Sequence, residues 1–102
     1  MKYYIFSLSA PLNYIFTGKF QAPSPAWMHS SRYLQDYELI VVTEGTVYIQ
    51  DETQAYIVEK GEFRIFPPSS KQSGYQNSNC SFYWLHFSCE DPVSITFLRR
   101  IR

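Results

Sequence analysis

The chain reads as an all-β domain of antiparallel strands, and three observations carry that reading. Residues 37 to 68 hold four consecutive short runs rich in β-branched and aromatic residues, with turn chemistry at each break. Aromatic residues reach 19% of the chain, slightly above the 18% that is charged, so the interior must be lined with rings. No segment is long enough, or helically periodic enough, to supply a crossover helix between parallel strands. The strands therefore pair antiparallel.

Taken in order, residues 3 to 8 and 13 to 20 are two apolar, aromatic, extended pieces separated by Pro11. Pro23 and Pro25 make a stiff link that joins neither a helix nor a central strand. Residues 1 to 26 are thus expected to be an amino-terminal arm laid on a main body of residues 27 to 102, its apolar, proline-hinged part serving as a lid. Residues 27 to 35 alternate poorly. Tyr37 to Glu44 is a strand that stops at Gly45, and Thr46 to Gln50 restarts at once, which predicts a hairpin or tight bend at the glycine. A polar connection, Asp51 to Gln54, leads to strand Ala55 to Glu59. Lys60 and Gly61 turn the chain into Glu62 to Phe66, which Pro67 and Pro68 end. Ser69 to Asn79 is polar and turn-rich. In the last clear strand, Ser81 to Ser88, alternation puts Phe82, Trp84 and His86 on one face and Tyr83, Leu85 and Phe87 on the other. Both faces are apolar, so this strand should lie between layers; residues 93 to 102 fit a strand or a helix.

Composition bounds the function. A chain of 102 residues is one domain with a single modest core. Its net charge is zero, without the Lys/Arg excess that neutralising a nucleic acid backbone requires, so the chain alone is not expected to bind DNA. Arg99, Arg100 and Arg102 read as a solvated end. Cys80 and Cys89 flank an extended run that would hold their sulfurs apart, which disfavours a disulfide and fits a reducing cytoplasm. The apolar start is short, tyrosine-rich and followed by Pro11, unlike a signal peptide, and no run approaches the roughly 20 apolar residues of a membrane span.

Three phrases, Arg32 to Gly45 (RYLQDYELIVVTEG), Gly61 to Pro68 (GEFRIFPP) and Phe82 to Phe87 (FYWLHF), resemble in their order and spacing the amino-terminal sensor domain of AraC-type transcription regulators. The resemblance covers about residues 27 to 88. It implies a cupin-like double-stranded β-helix, a jelly-roll barrel whose mouth binds a small effector, with carbohydrate the expected class. It also implies a DNA-reading helix-turn-helix half, which would lie after Arg102, and a possible homodimer.

The wider cupin superfamily holds a metal with two histidines one residue apart, a glutamate, and a later histidine. Here the scaffold spacing survives: Glu38 precedes Gly45 and Gly61 precedes Pro67 at the family's intervals. The ligands do not. The upstream positions fall in Arg32, Tyr33 and Leu34, and the downstream one is Gln72. One carboxylate with an amide does not make the coordination sphere of a catalytic zinc or iron, so neither metal nor cofactor nor enzymatic activity is expected.

The resemblance assigns the remaining candidates. His86, with Phe82 and Trp84, occupies the strand face that lines the effector cavity in the family, and His29 is the only other histidine; for both, a hydrogen-bonded structural role competes. Arg32 precedes the long strand where the family places a basic residue toward the effector, and its alternative is a surface ion pair with Asp36 or Glu38. Glu38, if inward, needs a partner such as Arg32 or a sugar hydroxyl. Trp27 either stacks on a sugar or seals the barrel. Gln72 and Tyr75 lie in the loop that borders the mouth in the family. A small metal-dependent cupin enzyme, such as a sugar isomerase or dioxygenase, and a pure dimerisation module with a filled barrel are the competing functions.

Overall fold

The computed structural model describes residues 13–88, which form seven strands and no helix. They are β1 (Asn13–Gln21), β2 (Arg32–Leu34), β3 (Tyr37–Gln50), β4 (Ala55–Glu59), β5 (Phe63–Phe66), β6 (Ser70–Gly74) and β7 (Cys80–Ser88). Every pairing among them is antiparallel. The calls on residues 3 to 8, Cys89 and residues 93 to 102 lie outside the described residues.

β3 organises the barrel because it belongs to both layers. Its first half lies between β7 and β5, and β1 extends that layer beyond β7. Its second half pairs with β4, while Ile49 and Gln50 reach β6, which carries β2 at the far edge. The layers are therefore β1-β7-β3-β5 and β4-β3-β6-β2. This is the jelly-roll expected, with one correction: no hairpin forms at Gly45, and the strand runs through it for 14 residues. The bend is made by a bulge instead. The register against β7 slips between Val42 and Glu44, leaving Thr43 unpaired, and Gly45 takes a φ of 71°. A side chain at Gly45 would also collide with the carbonyl of Asn79. Turn chemistry was read correctly there, but it serves a bent strand rather than a reversal.

A second correction concerns residues 70 to 74, read as loop because they are polar. They form β6, since the strand lies against β2 and the end of β3 and turns Ser70 and Gln72 inward, both of them buried. Alternation places the core. Glu38, Ile40 and Val42 of β3 stand opposite His86, Trp84 and Phe82 of β7, which in turn oppose Phe16, Gly18 and Phe20 of β1. From the other layer Leu34, Val47, Ile49, Tyr56 and Val58 complete the apolar cluster with Phe66. Gly18 is needed here because a Cβ would run into the indole of Trp84.

Residues 13–21 pair with β7 almost end to end, so this part of the amino-terminal region is a strand of the barrel. Residues 22–31 cross the barrel, tied down by hydrogen bonds from Ala22 to Cys80, Ser78 to Trp27 and Gly74 to His29. Gly74 permits the crossing, since a Cβ there would sit 2.7 Å from the backbone nitrogen of His29.

Ile49 is fully buried and Ile57, on the neighbouring strand, is more than half exposed. Urea unfolding of Ile49→Ala should show a loss of about 2–5 kcal/mol, while Ile57→Ala stays within about 0.5 kcal/mol of the parent. Gly45→Ala should cost more than about 1 kcal/mol in the same measurement, because both φ and the Asn79 carbonyl oppose it.

Candidate functional site

One buried carboxylate on β3 collects side chains from three other strands. Glu38 is 2% exposed, and its neighbours come from β2, β6 and β7. Arg32 Nη2 donates to Oε2 at 2.9 Å, and Gln72 Nε2 donates to Oε1 at 2.8 Å. His86 Nε2 lies 3.0 Å from Oε2 and 3.0 Å from Arg32 Nη2. On its other side, His86 Nδ1 sits 2.6 Å from Asp36 Oδ1 and donates to it. Nε2 then either donates to Glu38 or accepts from Arg32. Ionised carboxylates are costly to bury unless they receive several donors, and Glu38 receives them from both layers.

The strand register explains the convergence. Glu38 and His86 are direct cross-strand partners, as are Arg32 and Gln72. Both pairs face inward, so they meet in the barrel's interior. The face Phe82, Trp84 and His86 is as the alternation predicted, and Arg32 is the partner that an inward Glu38 required.

That face divides into two sections. At one, Phe82, Phe20 and Trp27 pack ring to ring, with centroids 4.5 Å apart for Phe20 and Trp27 and 5.1 Å for Phe20 and Phe82. Trp27 lies against the core cluster here. At the other, Phe16 stacks on His86 at 4.6 Å and meets Trp84 edge-on at 5.0 Å. Phe16 is 45% exposed, and the Arg32 side chain is 41% exposed. This section brings two aromatic rings, one guanidinium and the Asp36, His86 and Glu38 chain beside each other.

His29 lies under the crossing segment, its ring edge-on to Trp27 at 5.7 Å. Nδ1 donates to the Ser30 carbonyl at 2.7 Å, which fixes the proton on that nitrogen. Burial holds the imidazole pKa below its ordinary 6.5; the Ser30 carbonyl and the charge of Glu38 oppose that, and Arg32 adds to it. Tyr75 is not brought to the cluster: its hydroxyl donates to the Tyr56 carbonyl at 3.1 Å and its ring meets Tyr48, near the end of β3.

Sequence reasoning missed two residues beside His86. Phe16 was hidden because β1 carries a register shift between Tyr14 and Phe16, which breaks the phase of its alternation. Asp36 was seen only as a surface partner for Arg32, whereas its carboxylate orients His86. The close spacing of Asp36 and Glu38 ahead of a strand was the available signal.

Among the described residues no three His, Cys, Asp or Glu side chains converge to hold a metal ion. The positions at the cupin ligand spacing fall in Arg32, Tyr33 and Leu34, at Glu38 and at Gln72. One carboxylate with an amide does not make the coordination sphere of a catalytic zinc or iron. The Cys80 thiol is pushed up to about 11 by burial and packs in the core.

Two antiparallel layers that share one long strand define a cupin-like barrel. Residues 20–95 match the AraC-like ligand binding domain family, and the chain belongs to that family. It is also 36% identical over 61 residues, 58% of its length, to an uncharacterized HTH-type transcriptional regulator, YisR, of Bacillus subtilis strain 168. The chain spans about a fifth of that curated relative, 21% of its length. Solved structures of the same fold include the Clostridium difficile EutQ protein, with a TM-score of 0.57 and 14% identity, covering 82% of this chain and 67% of that one. The conserved protein SPY1581 of Streptococcus pyogenes, of unknown function, gives a TM-score of 0.60 at 8% identity, covering 85% and 82%. At these identities the likeness is one of fold. No helix among the described residues is long and apolar enough to cross a membrane.

Replacing Glu38 by leucine should lower stability by about 3–5 kcal/mol, read by chemical denaturation, because Arg32, His86 and Gln72 all lose their common acceptor. His29 gives a pH signature. Its folded pKa lies below the unfolded value, so the unfolded chain takes up a proton first. Stability should therefore fall as pH drops from about 7 through 6.5 and toward the folded pKa. Denaturation midpoints of His29→Gln over the same range should show a shallower dependence.

Proposed function

We propose that this chain is the effector-sensing part of a helix-turn-helix transcription regulator, and that it binds a small neutral carbohydrate at the barrel mouth. The observation that carries this reading is the juxtaposition of exposed Phe16 and partly buried Trp84 with Arg32, Asp36 and His86. Aromatic rings offer a flat apolar surface to the C–H face of a sugar, and the charged groups beside them offer directional donors and acceptors to its hydroxyls. Arg32 commits Nη2 to Glu38 and keeps its remaining N–H groups for a ligand.

The function is regulatory rather than catalytic. The mouth joins a histidine to two carboxylates that both restrain it, a guanidinium occupies a position that a metal ligand fills in catalytic cupins, and the matching family is one of ligand-binding domains. Control of DNA binding belongs to a separate domain, as the description of the Bacillus relative implies for that protein. Within such a regulator the effector alters how the sensing barrel engages the rest of the molecule, and pairing of two copies is the natural way to read a two-fold operator.

A thermal-shift screen against free pentoses, hexoses and disaccharides tests this directly. A sugar at a hundred times its dissociation constant adds about 2.7 kcal/mol of stability. Trp84→Ala should abolish the shift in a protein that still folds, and Arg32→Ala should weaken binding by about 1–3 kcal/mol. Leu85→Ala, on the opposite face of β7, should lower the melting temperature and leave the ligand-induced shift intact. An exchange of the Trp84 and Leu85 phenotypes would put the ligand elsewhere.

A further inference from the structure

Gln72 is fully buried, and only half of its amide is used. Its Nε2 donates to Glu38 Oε1, while its Oε1 has no hydrogen-bond partner. The orientation is set by that one bond, since turning the amide over would aim a carbonyl oxygen at a carboxylate. An unpartnered buried carbonyl oxygen is an uncommon and costly feature in a folded protein. Leaving it open makes sense if something else supplies the donor.

The charges around Gln72 restrict what that donor can be. Glu38 is bonded to the same amide, and Asp36 lies one residue further across, on His86. Arg32 is the cross-strand partner of Gln72, but its Nη2 already serves Glu38 and approaches His86. A carboxylate or phosphate brought to this place would meet Glu38 across the amide and could not donate to Gln72 Oε1. An uncharged O–H or N–H could.

The route is also marked. Arg32 is the partly exposed member of the cluster and sits on the three-residue edge strand β2, which has only β6 as a neighbour.

We propose that Gln72 Oε1 is the specificity-determining acceptor of the mouth: it selects a ligand that carries an uncharged hydrogen-bond donor, and the adjoining carboxylates refuse anionic derivatives of the same ligand. This deepens the carbohydrate reading above and rests on it for the ligand class, while the role of Gln72 stands on the unpaired acceptor itself.

The test uses the full chain and three sets of probes: free sugars, their uronic acids and 6-phosphates, and neutral amides of similar size. Thermal shift identifies hits, and calorimetry measures them. The expected result is binding by a free sugar, at least tenfold weaker binding by its charged counterparts, and at least a tenfold loss of affinity in Gln72→Met. Because Gln72→Met also removes a donor to Glu38, Gln72→Lys serves as the second variant. It keeps a donor for Glu38, lacks the acceptor, and should lose affinity equally while circular dichroism shows the parent's β content. Unaltered binding in Gln72→Lys overturns the proposal, as does preferential binding of a phosphate or uronate. If neutral amides bind in a Gln72-dependent manner and sugars do not, the carbohydrate reading fails and the Gln72 inference survives. If no neutral probe binds at all, both fail.

Discussion

The structure depends on burying one carboxylate. Glu38 lies on the inner face of a barrel whose core cluster is apolar, and a carboxylate there persists only if donors come to it. They come from β2, β6 and β7, so the same requirement that makes Glu38 expensive to bury ties the two layers together at one point. Apolar packing further along the barrel is tolerant of the exact partners. The Glu38 cluster is not, because each of its members has a fixed geometry and few substitutes.

The site's polarity follows from that arrangement. In metal-bearing barrels of this shape the ion is the cation that balances the glutamate. Here Arg32 fills that part with a charge that belongs to the chain itself. A guanidinium is planar, directional and permanently charged, and it cannot act as a Lewis acid.

Much of this was legible in the chain. The alternation of Phe82, Trp84 and His86 fixed one face of β7, and the spacing of Glu38, Gly45, Gly61 and Pro67 pointed to the barrel. Arg32 and Glu38 could be paired on the argument that an inward carboxylate needs a cation. What stayed hidden has common physical causes. β6 is a strand by virtue of its neighbours, and its composition, Ser, Lys, Gln, Ser, Gly, carries no local preference for extension. Gly45 has the chemistry of a turn, and only the opposing strand decides that it bends a strand instead. Phe16 lost its apparent phase to a bulge, and Asp36 acts through a histidine 50 residues away, a contact that periodicity cannot reveal.

The shortness of β2 has a consequence for how the barrel breathes. β3 is shared by both layers and flanked on each side, so its amides open only when the whole domain does. β2 has three residues and a single neighbour, and it can fray from β6 at small cost while that frame remains closed. Amide exchange in this domain should thus be graded, fastest at Arg32 to Leu34 and slowest in the middle of β3. The fastest-exchanging strand is then also the one whose arginine stands over the buried Glu38 carboxylate.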